Sequence, residues 1–144
     1  MTTIYFVRHA HSTYTKEERE RPLSEKGQLD AENVTHLLKD RHIDVVISSP
    51  YKRAIQTVQG IANTYDVSIQ IEEDLRERLL SSESVTDFND AVQKVWEDWD
   101  FAHEGGESND VAQRRAVICM QNILKKYKDK NIVIGTHGIL WYYS

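Results

Sequence analysis

The sequence predicts an α/β fold, a three-layer sandwich whose mainly parallel central sheet carries helices on both faces. Two observations carry this expectation. Short β-rich apolar runs alternate along the chain with longer stretches whose apolar residues recur at helical spacing. The first run, Thr3 to Val7, also holds no charge before Arg8, as a strand buried on both faces requires. Strands separated by helices of this length are joined by right-handed crossovers, which makes neighbouring strands parallel.

The elements follow in order. After the first strand, Ser24 is placed to cap a helix through Leu29, Ala31, Val34, Leu37 and Leu38, with Glu25 near its positive N-terminal end. Asp44 to Ser49 is the second strand, stopped by Pro50. Tyr51 to Tyr65 is a helix with Ala54, Ile55, Val58, Ile61 and Ala62 on one side, and Val67 to Ile71 is the third strand. Val85, Phe88, Val92, Val95, Trp96 and Trp99 recur at helical spacing. Asn109 to Tyr127 carries Ala112, Ala116, Met120, Ile123 and Leu124 along one stripe, and Asn131 to Thr136 is the fourth strand.

At 144 residues, with 40% hydrophobic and 28% charged, the chain reads as one domain spanning residues 1–144. No apolar run approaches the roughly 20 residues that cross a bilayer. The N-terminus lacks the basic region and cleavage site of a secretory signal, and the single cysteine, Cys119, has no internal partner; both point to the cytoplasm. Lys and Arg number 18 against 23 Asp and Glu, a net charge of −5. That balance argues against nucleic acid and against anionic membrane as partners. An anionic substrate therefore needs a local cluster of cations.

Such a cluster is found at the strand ends, where ligands bind in open α/β sheets. The first strand ends in Arg8-His9-Ala10-His11-Ser12, the second runs into Ser48-Ser49-Pro50-Tyr51-Lys52-Arg53, and the fourth ends in Thr136-His137-Gly138. Three strand ends thus deliver nitrogen donors to one rim. A phosphoryl group spreads negative charge over three equatorial oxygens, and its transfer is catalysed mainly by positioning and preorganised positive charge.

These segments resemble the signatures of the histidine phosphatase (phosphoglycerate mutase-like) superfamily. Val7 to Ser12 resembles the family's Arg-His-Gly signature, with Ala10 in place of the more usual glycine. Pro22-Leu23-Ser24-Glu25-Lys26-Gly27 is similar to its Pro-Leu-Thr/Ser-x-x-Gly helix start, and Ser48 to Thr57 to its Ser-Ser-Pro-x-x-Arg-Ala-x-x-Thr segment. Gly105-Gly106-Glu107-Ser108 and Thr136-His137-Gly138 resemble two further family segments, and all five occur in the family's order.

The resemblance implies a phosphomonoester hydrolase, free of metal and cofactor, that acts through a phosphohistidine intermediate on a small phosphorylated metabolite. His9 is then the nucleophile, and Arg8, Arg53 and His137 form the clamp on the phosphoryl oxygens, with Ser12 in reach of one of them. Leu75-Arg76-Glu77-Arg78 is similar to the family's Leu-x-Glu-Arg stretch, which makes Glu77 the candidate general acid, with Glu73 and Asp74 as rivals. Residues 73–108 fall in the region where the family varies its substrate cap.

Metal is the chemical competitor for clustered histidines. His9 and His11 are two apart, neither a third ligand nor a cysteine pair stands at zinc spacing, and Arg8 and Arg53 repel a cation. Two other functional readings remain: a phosphoglycerate mutase-type phosphotransferase, disfavoured by the short chain, and a non-catalytic member of the family, since the sequence stops at Ser144 soon after His137. The apolar run Ile139 to Tyr143 at that end leads to the expectation of a homodimer.

Overall fold

The computed structural model describes residues 1–77 and 108–137. The strands are β1 (Thr3–Arg8), β2 (Val45–Ser48), β3 (Ile69–Ile71) and β4 (Asn131–Thr136), and the helices are α1 (Glu25–Leu38), α2 (Lys52–Thr64) and α3 (Asn109–Lys126). A single 3-10 turn, Glu73–Leu75, follows β3. The four strands form one sheet in the order β1-β4-β2-β3, with every pairing parallel. The expected α/β class and parallel sheet are thus observed. Residues 78–107 and 138–144 lie outside the described residues, and with them the helical reading of Val85 to Trp99, nearly all of the expected 73–108 cap and the apolar run after His137.

Alternation along the strands sorts the core into two halves. Val7, Val46 and Val133 point to one face, where they pack with Val58, Ile61 and Ala62 of α2 and with Val34 and Leu38 of α1. Ile47, Ile132 and Ile134 point to the other, against Cys119, Met120 and Ile123 of α3 and Leu75 of the 3-10 turn. The placement of the helices follows the strand order. Moving from β1 to β2 and on to β3 the chain advances across the sheet, whereas from β3 to β4 it turns back. Crossovers of constant hand then put α1 and α2 on one face and α3 on the other.

The helix starts obey local chemistry. Ser24 caps α1, its hydroxyl oxygen accepting the Gly27 N–H at 3.1 Å, and Ser108 caps α3 in the same way, accepting from Val111 at 3.1 Å. Gly27 has a second reason to lack a side chain: a Cβ there would lie 2.0 Å from the carbonyl oxygen of His11. Leu29 and Leu37 of the expected helix are 61% and 76% exposed, because α1 packs on the domain along its Ala31, Val34 and Leu38 side. Leu124 likewise faces solvent at 43% exposure, while its neighbour Ile123 is buried.

Candidate active site

Strand register brings the two expected histidines together. Arg8 pairs with Thr136 and Ser48 with Gly135. Each ladder then continues by one bond, the His9 N–H donating to the Thr136 carbonyl at 3.0 Å and the Ser49 N–H to the Gly135 carbonyl at 2.9 Å. His9, His137 and Ser49 therefore emerge side by side at the carboxyl ends of three adjacent strands. The His9 and His137 rings have their centroids 5.3 Å apart and their planes inclined by 57°.

The His9 ring is held with one nitrogen free. Its Nδ1 lies 2.8 Å from the carbonyl oxygen of Ala10. A carbonyl only accepts, so Nδ1 carries the proton and Nε2 keeps its lone pair. Burial lowers the His9 pKa; the Ala10 carbonyl opposes this, and the charges of Arg53, Arg8 and Arg21 reinforce it. The ring is neutral at pH 7, as a nitrogen nucleophile requires. The turn that carries it is pinned from α2. The Ala10 N–H donates to Thr57 Oγ1 at 3.0 Å, and the Thr57 hydroxyl donates to the Arg53 carbonyl at 2.7 Å.

His137 is fully buried. Its Nε2 lies 2.8 Å from Ser49 Oγ, and the Tyr51 ring meets it edge-on with centroids 5.1 Å apart. Its Nδ1 is buried without a hydrogen-bond partner and lies 3.5 Å from Oε2 of Glu77. Burial holds the His137 pKa down to about 2, with Arg53, His9, Arg115 and Arg8 adding to the effect, so the resting ring is neutral.

The expected cations differ in setting. Arg53 is 3% exposed, its guanidinium 4.8 Å above the Tyr51 ring. It donates to the Glu18 carbonyl at 2.9 Å and to Glu18 Oε1 at 3.1 Å. The other carboxylate oxygen of Glu18 accepts from Arg21 at 2.6 Å. Arg8 is exposed at the end of β1 and acts on both imidazoles through its charge. Ser12 is partly exposed and pairs through its backbone with Leu23. His11 forms wall rather than centre, its Nδ1 2.6 Å from the Ser24 hydroxyl.

Geometry separates Glu77 from its two rivals. Glu73 is paired with Arg19, a hydrogen bond that lowers its pKa, and Asp74 lies 3.5 Å from Arg76. Glu77 alone of the three reaches the imidazoles: one ligand atom each from His9, Glu77 and His137 all lie within 4.8 Å of one another. Arg115 of α3 fastens this stretch, donating to the Asp74 carbonyl at 2.7 Å and to the Glu77 carbonyl at 3.4 Å.

No third ligand stands at zinc spacing beside His9 and His11 in the sequence, yet the fold brings Glu77 to His9 and His137. The same fold surrounds the cluster with Arg8, Arg53 and Arg115, all of which act on the His137 ring. Their field opposes a cation and favours an anion.

Sequence reasoning left five residues of the site without a role: Ser49, Tyr51, Thr57, Glu18 and Arg115. Thr57 shares a helix face with Arg53, four residues before it, but its partner Ala10 lies 47 residues away in sequence. Glu18 and Arg115 sit among other charged residues with no pattern to mark them.

A family model of the histidine phosphatase superfamily (branch 1) matches residues 4–142. Similar proteins include phosphoserine phosphatase 1 of Hydrogenobacter thermophilus, 25% identical over 152 residues that cover 96% of this chain and 72% of that one. The metal-independent phosphoserine phosphatase of Arabidopsis thaliana is 30% identical over 154 residues, covering 96% and 65%. Among solved structures, Bacillus stearothermophilus YhfR superposes with a TM-score of 0.81 at 25% identity, covering 98% of this chain and 76% of its own. The mycobacterial glucosyl-3-phosphoglycerate phosphatase shares the fold, with a TM-score of 0.78 at 22% identity over 94% and 73% of the two chains. The chain thus spans between 65% and 76% of the length of these relatives. It belongs to the histidine phosphatase superfamily, branch 1.

Proposed function

We propose that this protein is a metal-independent phosphomonoester hydrolase that works through a phosphohistidine at His9. The carrying observation is the 2.8 Å contact of His9 Nδ1 with the Ala10 carbonyl, which leaves Nε2 as a free nucleophile beside a buried, unpaired His137 Nδ1. In the first step the Nε2 lone pair attacks phosphorus and the bond to the alkoxide oxygen breaks. The Ala10 carbonyl stabilises the charge that develops on the ring, and a protonated Glu77 gives its proton to the departing oxygen. In the second step water attacks the phosphohistidine, Glu77 takes a proton from that water, and inorganic phosphate leaves. Arg53, Arg8 and His137 Nδ1 are the donors to the equatorial oxygens, with Ser12 on the loop beside them.

Hydrolysis is favoured over transfer between substrate positions because similar proteins bear the names of phosphoserine and glucosyl-3-phosphoglycerate phosphatases. These names share a small phosphorylated metabolite as substrate. Among the described residues no helix is long and apolar enough to cross a membrane. Rapid quench of the enzyme and a labelled phosphomonoester in alkaline denaturant is expected to trap a phosphoenzyme that is stable to base and labile to acid, absent from His9→Ala. Label retained in that variant, or phosphorus found on another residue, refutes the assignment.

A further inference from the structure

We propose that Ser49 is a positioning residue whose hydroxyl fixes the tautomer of His137, so that the ring presents Nδ1–H to the phosphoryl oxygens. The inference deepens the proposed function and rests on it for its kinetic part.

The geometry begins in the Ser-Ser-Pro turn. Ser48 Oγ donates to the Ser49 carbonyl at 2.8 Å, which fixes the backbone of Ser49. Pro50 has no N–H, so the first amide of the turn available to Ser49 Oγ is that of Tyr51, which donates to it at 3.2 Å. With an acceptor lone pair so used, the hydroxyl proton is directed to the remaining neighbour, His137 Nε2 at 2.8 Å. Ser49 and His137 are both fully buried, so water does not compete for this bond.

An imidazole that accepts at Nε2 holds its proton on Nδ1. That atom is buried, lacks a hydrogen-bond partner and faces the carboxylate of Glu77 at 3.5 Å. The opposite tautomer turns a lone pair toward the same carboxylate and toward the oxygens of the incoming phosphoryl group. It thereby replaces a donor by a repulsive acceptor. A buried unpaired donor is costly to keep, and a phosphoryl oxygen is the partner that satisfies it. The Tyr51 ring, edge-on to His137, restrains the ring plane and leaves the choice of tautomer to Ser49.

Removal of one preorganised donor to a developing oxyanion lowers kcat by about a hundredfold to a thousandfold. Ser49→Ala is therefore expected to lower kcat for an alkyl phosphate by about a hundredfold while KM changes little, and Ser49→Thr, which keeps the hydroxyl, to recover most of the loss. Nitrogen NMR of the wild-type protein is expected to show His137 as the Nδ1–H tautomer, and Ser49→Ala to shift it toward Nε2–H. A wild-type Nε2–H tautomer overturns the proposal, as does a Ser49→Ala protein with unchanged tautomer or unchanged kcat. If Ser49→Ala does not fold, the wild-type spectrum decides the tautomer and Ser49→Thr the kinetics, an inactive but folded threonine variant counting against it. A wild-type protein inert toward every phosphomonoester refutes the proposed function instead, and leaves the NMR assignment to stand or fall alone.

Discussion

Lowering the pH from 7 to 5 should destabilise this fold through His137 in particular. The native ring is held neutral, with its pKa near 2, mainly by burial. In the unfolded chain the same imidazole titrates near 6.5. The native pKa lies below the unfolded one, so the stability is fully present above about 6.5 and is lost as the pH falls, until the native group itself protonates. At pH 5 the unfolded ring is almost wholly protonated and the native ring is not. Integration of the proton-binding difference between pH 7 and 5 gives about 2 kcal/mol for this one residue. His9, lowered in the same direction, adds a smaller amount. Urea unfolding at the two pH values, for the wild type and for His137→Gln, isolates the contribution. The wild type is expected to lose about 2 kcal/mol more than the variant, and saturating vanadate to reduce the loss by supplying His137 with an anion. Equal pH dependence in both proteins would show that His137 is not buried in its neutral form.

Activity toward para-nitrophenyl phosphate should survive EDTA and be blocked by vanadate, which resembles the trigonal transition state; inhibition by chelator that zinc or magnesium reverses would remove the metal-independent reading. Glu77→Gln should slow an alkyl phosphate by about 10²-fold or more and para-nitrophenyl phosphate far less, because only the alkoxide needs a proton to leave; equal losses on the two substrates would exclude Glu77 as the acid. Gly27→Ala forces a Cβ against the His11 carbonyl, and should cost about 1–3 kcal/mol in denaturant unfolding; an unchanged midpoint contradicts the packing of α1 on the loop. Self-association is expected because β1 is an edge of the sheet among the described residues and exposes Phe6; light scattering across a concentration series that reports only monomer refutes it.

The first two strands were legible because each is short, apolar and closely followed or closed by a residue that marks its end. Arg8 closes the first, Pro50 follows the second, and the fourth runs from Asn131 to Thr136 as read. The start of α1 was legible because a side chain makes it, that of Ser24. The exposure of Leu29 and Leu37 was not, because apolar spacing shows that a helix has an apolar side and not how much of that side a neighbour covers. Strand order was also hidden. Nothing local to β4 says that it lies between β1 and β2, yet that placement sets His137 between His9 and Ser49.

The candidate site divides along the same line. The residues proposed to meet the phosphoryl group stand out by their types and their positions at strand ends, since an imidazole or guanidinium after a buried strand has few structural reasons to be there. The residues that orient them do not. Ser49 and Thr57 are ordinary hydroxyls whose partners lie 88 and 47 residues away in sequence, and Glu18 reaches Arg53 across 35. Each acts only through a contact that the fold creates. The hydroxyls are buried and hydrogen-bonded on both sides, so each selects one orientation of a catalytic group: Thr57 the turn at Ala10, Ser49 the ring of His137. Glu18 does the electrostatic counterpart, keeping a buried guanidinium paired until an anion competes for it. In the proposed mechanism a substrate dianion displaces a carboxylate from Arg53 while it satisfies an orphaned donor on His137. The two demands together favour a ligand with several oxygens at phosphoryl spacing over a simple monovalent carboxylate.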